Sequence, residues 1–396
     1  MQLTYRSSSQ AMPLHPTSQL LVDTLEGLPS LEGRYANLKV VNWSTTSGKR
    51  GFFSLVFRAD DTVEGRPVAL KFFDPAQLMD QYRLAAFQRE CSILQGLMNV
   101  DRCLQLEKGI AAYNLTVPGS AGIVIPCQYF AVQWIESDVD DYFLGKTDDA
   151  VDKLKLFNEM VLSVEALHRH GVFHRDLKAD NLRAIVDASG RRVVVAIDLG
   201  TAARFDSKYV LPSYGGQVGA WPYSSPEARC GLAGNRLVAA STDLYALGCL
   251  LFELFNPDYF FRALYAANPN YDTRLSAMAS VVTDHSTEHK EVNQWRRAIE
   301  QFAGGVTAVP ICGAGSSVPP GISQLLDEVL GRLTSFDYLN RPVLQWVRQR
   351  IWIAIRVLMN QEIYSARLQK SKELRARRLE KAAAKAKGKA GGKFLC

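Results

Sequence analysis

Nowhere in these 396 residues do about 18 apolar residues run together, the length that a membrane-spanning helix needs. The opening Met-Gln-Leu-Thr-Tyr-Arg has no charged-then-apolar design of the kind a secretory leader carries. Cysteine is sparse and odd in number: seven residues, scattered mostly inside apolar runs. That pattern argues against a disulfide framework or a zinc site and predicts reduced, buried thiols in a cytoplasmic protein. No internal repeat is visible. What remains is an ordinary globular composition, 47% hydrophobic and 22% charged, in a chain long enough to bury a sizeable core and carry extensions.

The net charge of +6 is misleading as an average. Residues 361–396 hold eleven Lys/Arg and three Glu, a net +8, so residues 1–360 carry a net −2. The basicity is confined to a tail. Such a tail is either a solvated, solubilising segment or an electrostatic arm for nucleic acid or an anionic surface. Its last stretch, Ala382 to Lys393, has few apolar residues and two glycine breaks and is expected to be disordered.

Two stretches carry the chemistry. Gly171-Val-Phe-His-Arg-Asp-Leu-Lys-Ala-Asp-Asn181 reads H-R-D-L-K-x-x-N, and seventeen residues beyond Asn181 comes Asp198 in Ile197-Asp-Leu-Gly200, a D-F-G element with Leu199 in place of Phe. A lone D-L-G would mean little. The ordered pair supplies a carboxylate to receive a hydroxyl proton, and a carboxylate and a carboxamide to hold Mg²⁺. Upstream, Val68-Ala-Leu-Lys71 follows an apolar run. Nineteen residues further on, Glu90 sits in a helical pattern with apolar residues at 87, 91 and 94. Taken singly, a strand Lys is usually a solvated charge and a helical Glu a polar-face residue. Their joint order and spacing defeat that reading.

Together these motifs resemble the eukaryotic-type (Hanks-type) Ser/Thr protein kinase family, from about Tyr35 to about Trp352. The resemblance implies an α+β, two-lobed protein-kinase-like fold with a mainly β small lobe and a larger, mainly α lobe. It assigns Asp176 and Lys178 to catalysis, Lys71 with Glu90 to the α/β-phosphates of ATP, and Asn181 and Asp198 to Mg²⁺. Gly48, Gly51, Ser54 and Val56 would line the nucleotide in an imperfect G-x-G-x-x-G-x-V loop, where Ser54 replaces the third glycine. Ala69 would also belong to the nucleotide site, and the backbone of Gln133 and Ile135 would receive the adenine edge. Ser225-Pro226-Glu227 stands for A-P-E, with Arg341 as the partner of Glu227. Asp243 matches an aspartate that ties the catalytic-loop backbone, and His174 a structural position. Ala220 departs from the family, replacing a threonine that bridges the catalytic Asp and Lys in Ser/Thr kinases. Arg175 would either pair with a phosphate on the activation segment, where Ser213 and Tyr214 are best placed, or cap a loop.

The boundaries follow: an N-terminal extension over 1–33 with a short helix near 18–25, a small lobe over 34–132, a hinge over 133–136, a large lobe over 137–358 and the tail over 359–396. The Gly-, Ser- and Pro-rich run 303–321 reads as a loop. Residues 345–380 can form one charged-faced helix. The function expected is ATP- and Mg²⁺-dependent phosphoryl transfer to Ser/Thr hydroxyls of proteins, regulated through the activation segment. Two other readings stand beside it: a small-molecule kinase of the aminoglycoside or choline type, and a catalytically silent scaffold whose tail binds nucleic acid or membrane.

Overall fold

The computed structural model of the chain describes residues 13–43, 54–119, 122–147, 149–186, 190–204 and 219–391. The small lobe is built on a six-stranded antiparallel sheet of order β1-β2-β3-β4-β6-β5. Its strands are β1 (Ser30–Leu31), β2 (Tyr35–Val40), β3 (Ser54–Asp61), β4 (Arg66–Phe73), β5 (Leu106–Thr116) and β6 (Val124–Gln133). β4 is the apolar Val68–Phe73 run, central in the sheet and paired on both edges, which explains its near-continuous burial. Two helices belong to this lobe: α1 (Pro16–Glu26), ahead of the sheet, and α2 (Gln81–Gly96).

Of the segment expected to be an extension, the described residues 13–33 pack on this lobe. α1 starts on Pro16, which has no N–H to lose at a helix start. It buries Leu21, Val22 and Leu25 in one cluster with Tyr35, Phe57 and Phe72 of the sheet. Ser18 Oγ donates to Asp74 Oδ1 at 2.5 Å, fastening α1 to the loop that leads into α2. A short helix was legible from the sequence; its docking depends on partners over fifty residues away.

The large lobe is mainly helical. α3 (Ala150–Arg169) precedes two small sheets, β10-β9-β7 and β11-β8. These strands are β7 (Ser137–Asp138), β8 (Val172–Phe173), β9 (Leu182–Val186), β10 (Arg192–Ala196) and β11 (Ala203–Arg204). Then come α4 (Pro226–Arg229), α5 (Arg236–Phe255), α6 (Phe260–Ala267), α7 (Tyr271–Ala279), α8 (Glu288–Phe302), α9 (Ser323–Leu333) and α10 (Leu344–Gly391). α5 is long and apolar enough to cross a membrane by composition, but 83% of its apolar window is buried inside the fold, so it is the central core helix. Residues 303–319 form a loop, as their composition indicated. Of the six described cysteines, all are free thiols and only Cys312 is exposed.

α10 corrects one expectation. The stretch from Ala382 is helical to Gly391, continuous with the helix that begins at Leu344. Alanine and lysine are strong helix formers, and here they outweigh the glycine at 388.

Candidate active site

β4 and α2 together position one ion pair. Lys71 lies on β4 opposite Val56 of β3 and Phe130 of β6. Its Nζ is 2.7 Å from Glu90 Oε2 and 2.7 Å from Asp198 Oδ1. Glu90 is buried on the face of α2 that also carries Phe87, Cys91 and Leu94. Burial alone would depress the Lys71 ammonium, but Asp198 and Glu90 more than offset it and hold it above the ordinary lysine range. Burial pushes the Glu90 carboxyl upward against the pull of Lys71. Asp198 is held below the usual carboxylate range, chiefly by the Lys71 charge.

Glu90 does more than orient Lys71: its Oε1 accepts the amide N–H of Leu199 at 3.1 Å. One carboxylate thus ties α2, β4 and the D-L-G turn together. Leu199 is fully buried, an apolar plug in the position where the motif usually has Phe. Asp198 itself has φ +60°, a left-handed conformation unusual for a side chain with a Cβ, and the same holds for Arg175 at φ +64°. Two such residues around one cleft are the kind of strain that the surrounding structure must hold in place.

That support is visible in the catalytic loop. Asp243, fully buried on α5, accepts the amides of His174 (2.9 Å) and Arg175 (2.7 Å) and contacts His168 Nε2 at 2.8 Å. Burial would raise its pKa; the His168 hydrogen bond and the backbone donors more than reverse that. His174 Nε2 donates to the Ile197 carbonyl at 2.9 Å, so this histidine braces the loop against the D-L-G strand. The architectural roles expected for His174 and Asp243 are what the structure shows.

Asp176 stands at the centre. Its Oδ1 accepts the Ala220 amide at 2.6 Å, and its Oδ2 accepts Asn181 Nδ2 at 3.1 Å. Burial raises its pKa, opposed by Lys178 and His174. Lys178 Nζ lies 4.0 Å from Asp176 Oδ2. Ala220 lacks the hydroxyl that the resemblance called for, yet its backbone N–H reaches the same carboxylate. Sequence reasoning missed this contact; the glycine just before Ala220 was the available signal.

Arg175 is occupied by the loop. Its Nε donates to the Thr201 carbonyl at 2.8 Å and its Nη1 to the Ala233 carbonyl at 2.9 Å. Burial, with the like charge of Arg89 nearby, lowers its pKa to about 10. Ser213 and Tyr214 lie outside the described residues, as do Gly48 and Gly51 of the glycine loop.

The remaining nucleotide-side residues line up along the sheet. Ser54 and Val56 open β3, which Asn42 clamps by donating to the Ser54 carbonyl (2.8 Å) and accepting the Val56 amide (2.8 Å). No motif pointed to Asn42. Ala69 faces Val132 across the β4–β6 register, one residue before Gln133 at the end of β6. Ile135 is buried just past the strand end.

At the far side of the large lobe, Arg341 Nη1 and Nη2 meet Glu227 Oε1 and Oε2 at 2.5 and 3.0 Å, both side chains fully buried. Removing one partner of such a pair typically costs about 3–5 kcal/mol, because the other charge is left stranded. The pair anchors the Ser225-Pro226-Glu227 segment to the end of the domain.

A two-lobed fold with a Lys–Glu–Asp cluster on one wall and an Asp–Asn–Lys loop on the other is the arrangement of a protein kinase domain. The protein kinase domain model matches residues 48–353, and the chain belongs to the eukaryotic-type Ser/Thr protein kinase family. It is 28% identical over 211 residues to the "Probable serine/threonine-protein kinase PknB" of Lactococcus lactis, covering 52% of this chain and 30% of that protein. Against the protein of the same name from Bifidobacterium longum it is 29% identical, covering 52% and 28%. NUAK family SNF1-like kinase 2 of Rattus norvegicus is 28% identical, covering 53% and 30%. The matched region thus spans less than a third of each of these three relatives.

Proposed function

We propose that the protein is an ATP- and Mg²⁺-dependent protein kinase that phosphorylates Ser/Thr hydroxyls. The observation that carries this reading is the convergence of Lys71, Glu90 and Asp198 with Asp176, Lys178 and Asn181 in one cleft, with no member of the set lost.

The donor set fits Mg²⁺. Asn181 spends its amide nitrogen on the Asp176 carbonyl (2.8 Å) and carboxylate, which leaves its side-chain oxygen as an acceptor, and its own carbonyl accepts the amide of Ile197, the residue before Asp198, at 2.9 Å. Two hard oxygen ligands suit an ion that completes its shell with water and phosphate oxygens. Among the described residues no group of three or more His, Cys, Asp or Glu forms a self-sufficient metal cage, so phosphate oxygens would be part of the site. Bound there, Mg²⁺ neutralises the charge that develops on the triphosphate.

The protein's own groups supply the rest. Lys71, pointed by Glu90, holds the α- and β-phosphates. Asp176, oriented by the Ala220 amide and Asn181, accepts a hydrogen bond from the acceptor hydroxyl and takes its proton late, since positioning dominates a loose transition state. Lys178 offsets the charge of the migrating phosphoryl group. Its presence beside Asp176 supports Ser/Thr over Tyr as acceptor, and the intact Pro226-Glu227 segment with its Arg341 brace supports a protein over a small-molecule acceptor.

Regulation through the activation segment belongs to the same reading. Arg175 and Arg89 bring like charges together beside the segment's start at Thr201. A phosphate on Ser213 or Tyr214 would supply an anion to both and order the segment. The test is label transfer from γ-labelled ATP to a basic protein acceptor, with and without EDTA, followed by phosphoamino-acid analysis. Mg²⁺-dependent phosphoserine or phosphothreonine is the expected product; label on a small aminoalcohol and none on protein contradicts the reading.

A further inference from the structure

The side of α10 that faces the large lobe is apolar: Val347, Ile351, Ala354, Ile355 and Leu358 are buried against it. After Leu358 no described residue of the helix is buried. At about 100° of rotation per residue, those five positions share one side, and the diametrically opposite side forms a single continuous stripe. The stripe is mixed, apolar and basic. Trp352, Ile353, Met359, Ile363 and Leu374 fall on it, each between 44% and 49% exposed. Arg356, Arg367, Lys370 and Arg377 are interleaved with them on the same stripe.

Charge is sorted by side as well as by position. Within an arc of about 160° centred on the stripe, residues 345–377 place five Lys/Arg and no acidic residue. The acidic residues of that stretch, Glu362 and Glu373, both fall on the other side, in line with the buried face. A merely solubilising tail needs no such segregation.

The geometry points to an anionic lipid bilayer as the partner of this stripe. From Gln349 to Arg377 the stripe follows one unbroken helix for about 42 Å, so its partner must offer a continuous surface over that length. A helix-binding groove on a protein spans only a few turns. A nucleic-acid duplex offers phosphates to the arginines and lysines but nothing to four exposed aliphatic side chains. A bilayer surface accepts both: the apolar residues at the headgroup–acyl boundary and the Lys/Arg among anionic headgroups. The kinase body, packed on the opposite side of the same helix, would ride above the membrane with its cleft open to soluble acceptors.

The experiment is vesicle co-sedimentation of the full chain, with phosphatidylcholine alone and with about 30% phosphatidylglycerol, across a salt series. Binding is expected only to the anionic vesicles. Arg367→Gln/Lys370→Gln should weaken it about 25-fold, at about fivefold per charge. Lys372→Gln removes a charge from the other side and should cost no more than about twofold. Trp352→Ser/Ile363→Ser should leave binding that salt abolishes. All variants should phosphorylate a soluble acceptor at the wild-type rate. A loss per charge from Lys372→Gln as large as that from Arg367→Gln/Lys370→Gln would overturn the stripe. So would equal binding to neutral vesicles, tighter binding to a nucleic-acid duplex that ignores Trp352 and Ile363, or a dimer in solution that Trp352→Ser dissolves.

Discussion

Gly219 lies directly against the loop that holds Asp176. A Cβ at Gly219 would sit 2.3 Å from the Arg175 carbonyl oxygen and 3.2 Å from Asp176 Cα, and its φ of +80° is one that side chains rarely adopt. This close approach is what lets the Ala220 amide reach Asp176 Oδ1. Gly219→Ala must therefore push the two segments apart. A displacement of about 1 Å at a reacting group costs on the order of 100-fold in rate. The variant should lose kcat by about that factor while nucleotide affinity, measured by fluorescence titration, stays near wild type.

Lys71 and Glu90 should differ in severity. Lys71→Met removes the phosphate contact and should lower kcat/KM by on the order of 10²–10³, the usual effect of losing one preorganised electrostatic group. Glu90→Gln keeps the Lys but loosens its aim and the Leu199 amide contact, so its loss should be smaller. Steady-state kinetics on one acceptor peptide checks both. Equal, mild losses would contradict the role given to the pair.

Glu253, deep in α5, gives a pH signature away from the chemistry. Tyr223 donates to its Oε2 at 2.7 Å, and burial pushes its pKa from 4.5 up to about 8. The folded state therefore binds a proton that the unfolded chain releases above about 4.5, so this group's contribution is complete below that pH and is lost as pH rises toward 8. Glu253→Gln keeps the shape without the ionisation. Thermal unfolding should show the variant more stable than wild type by a few degrees at pH 8.5, with the difference shrinking toward pH 5.

What could be read in advance was what short motifs encode. Lys71, Asp176, Asn181 and Asp198 each sit in a local pattern with fixed neighbours, and Glu90 and Arg341 follow at characteristic distances. The structure pairs Lys71 with Glu90 and Arg341 with Glu227, as their spacing led one to expect. Less legible was anything set by distant packing. Ser18 meets Asp74 only once α1 has docked, Asn42 clamps β3 through backbone groups that have no sequence signature, and Ala220 replaces a lost hydroxyl with an amide that every residue but proline carries. The end of α10 was misread because glycine and charge suggested disorder while the alanine and lysine content favoured helix. Its two-sided character appears only when the helical phase is fixed by the buried face.

The central claim is that Asp176 receives the acceptor proton while other groups hold the nucleotide. Phosphoryl transfer by Asp176→Asn, with ATP affinity measured on the same preparation, tests it most directly. Asparagine keeps the shape and the Ala220 contact but cannot take a proton, so the rate should fall by about 10²–10⁴-fold with ATP affinity little changed. Transfer at the wild-type rate by that variant would contradict the account.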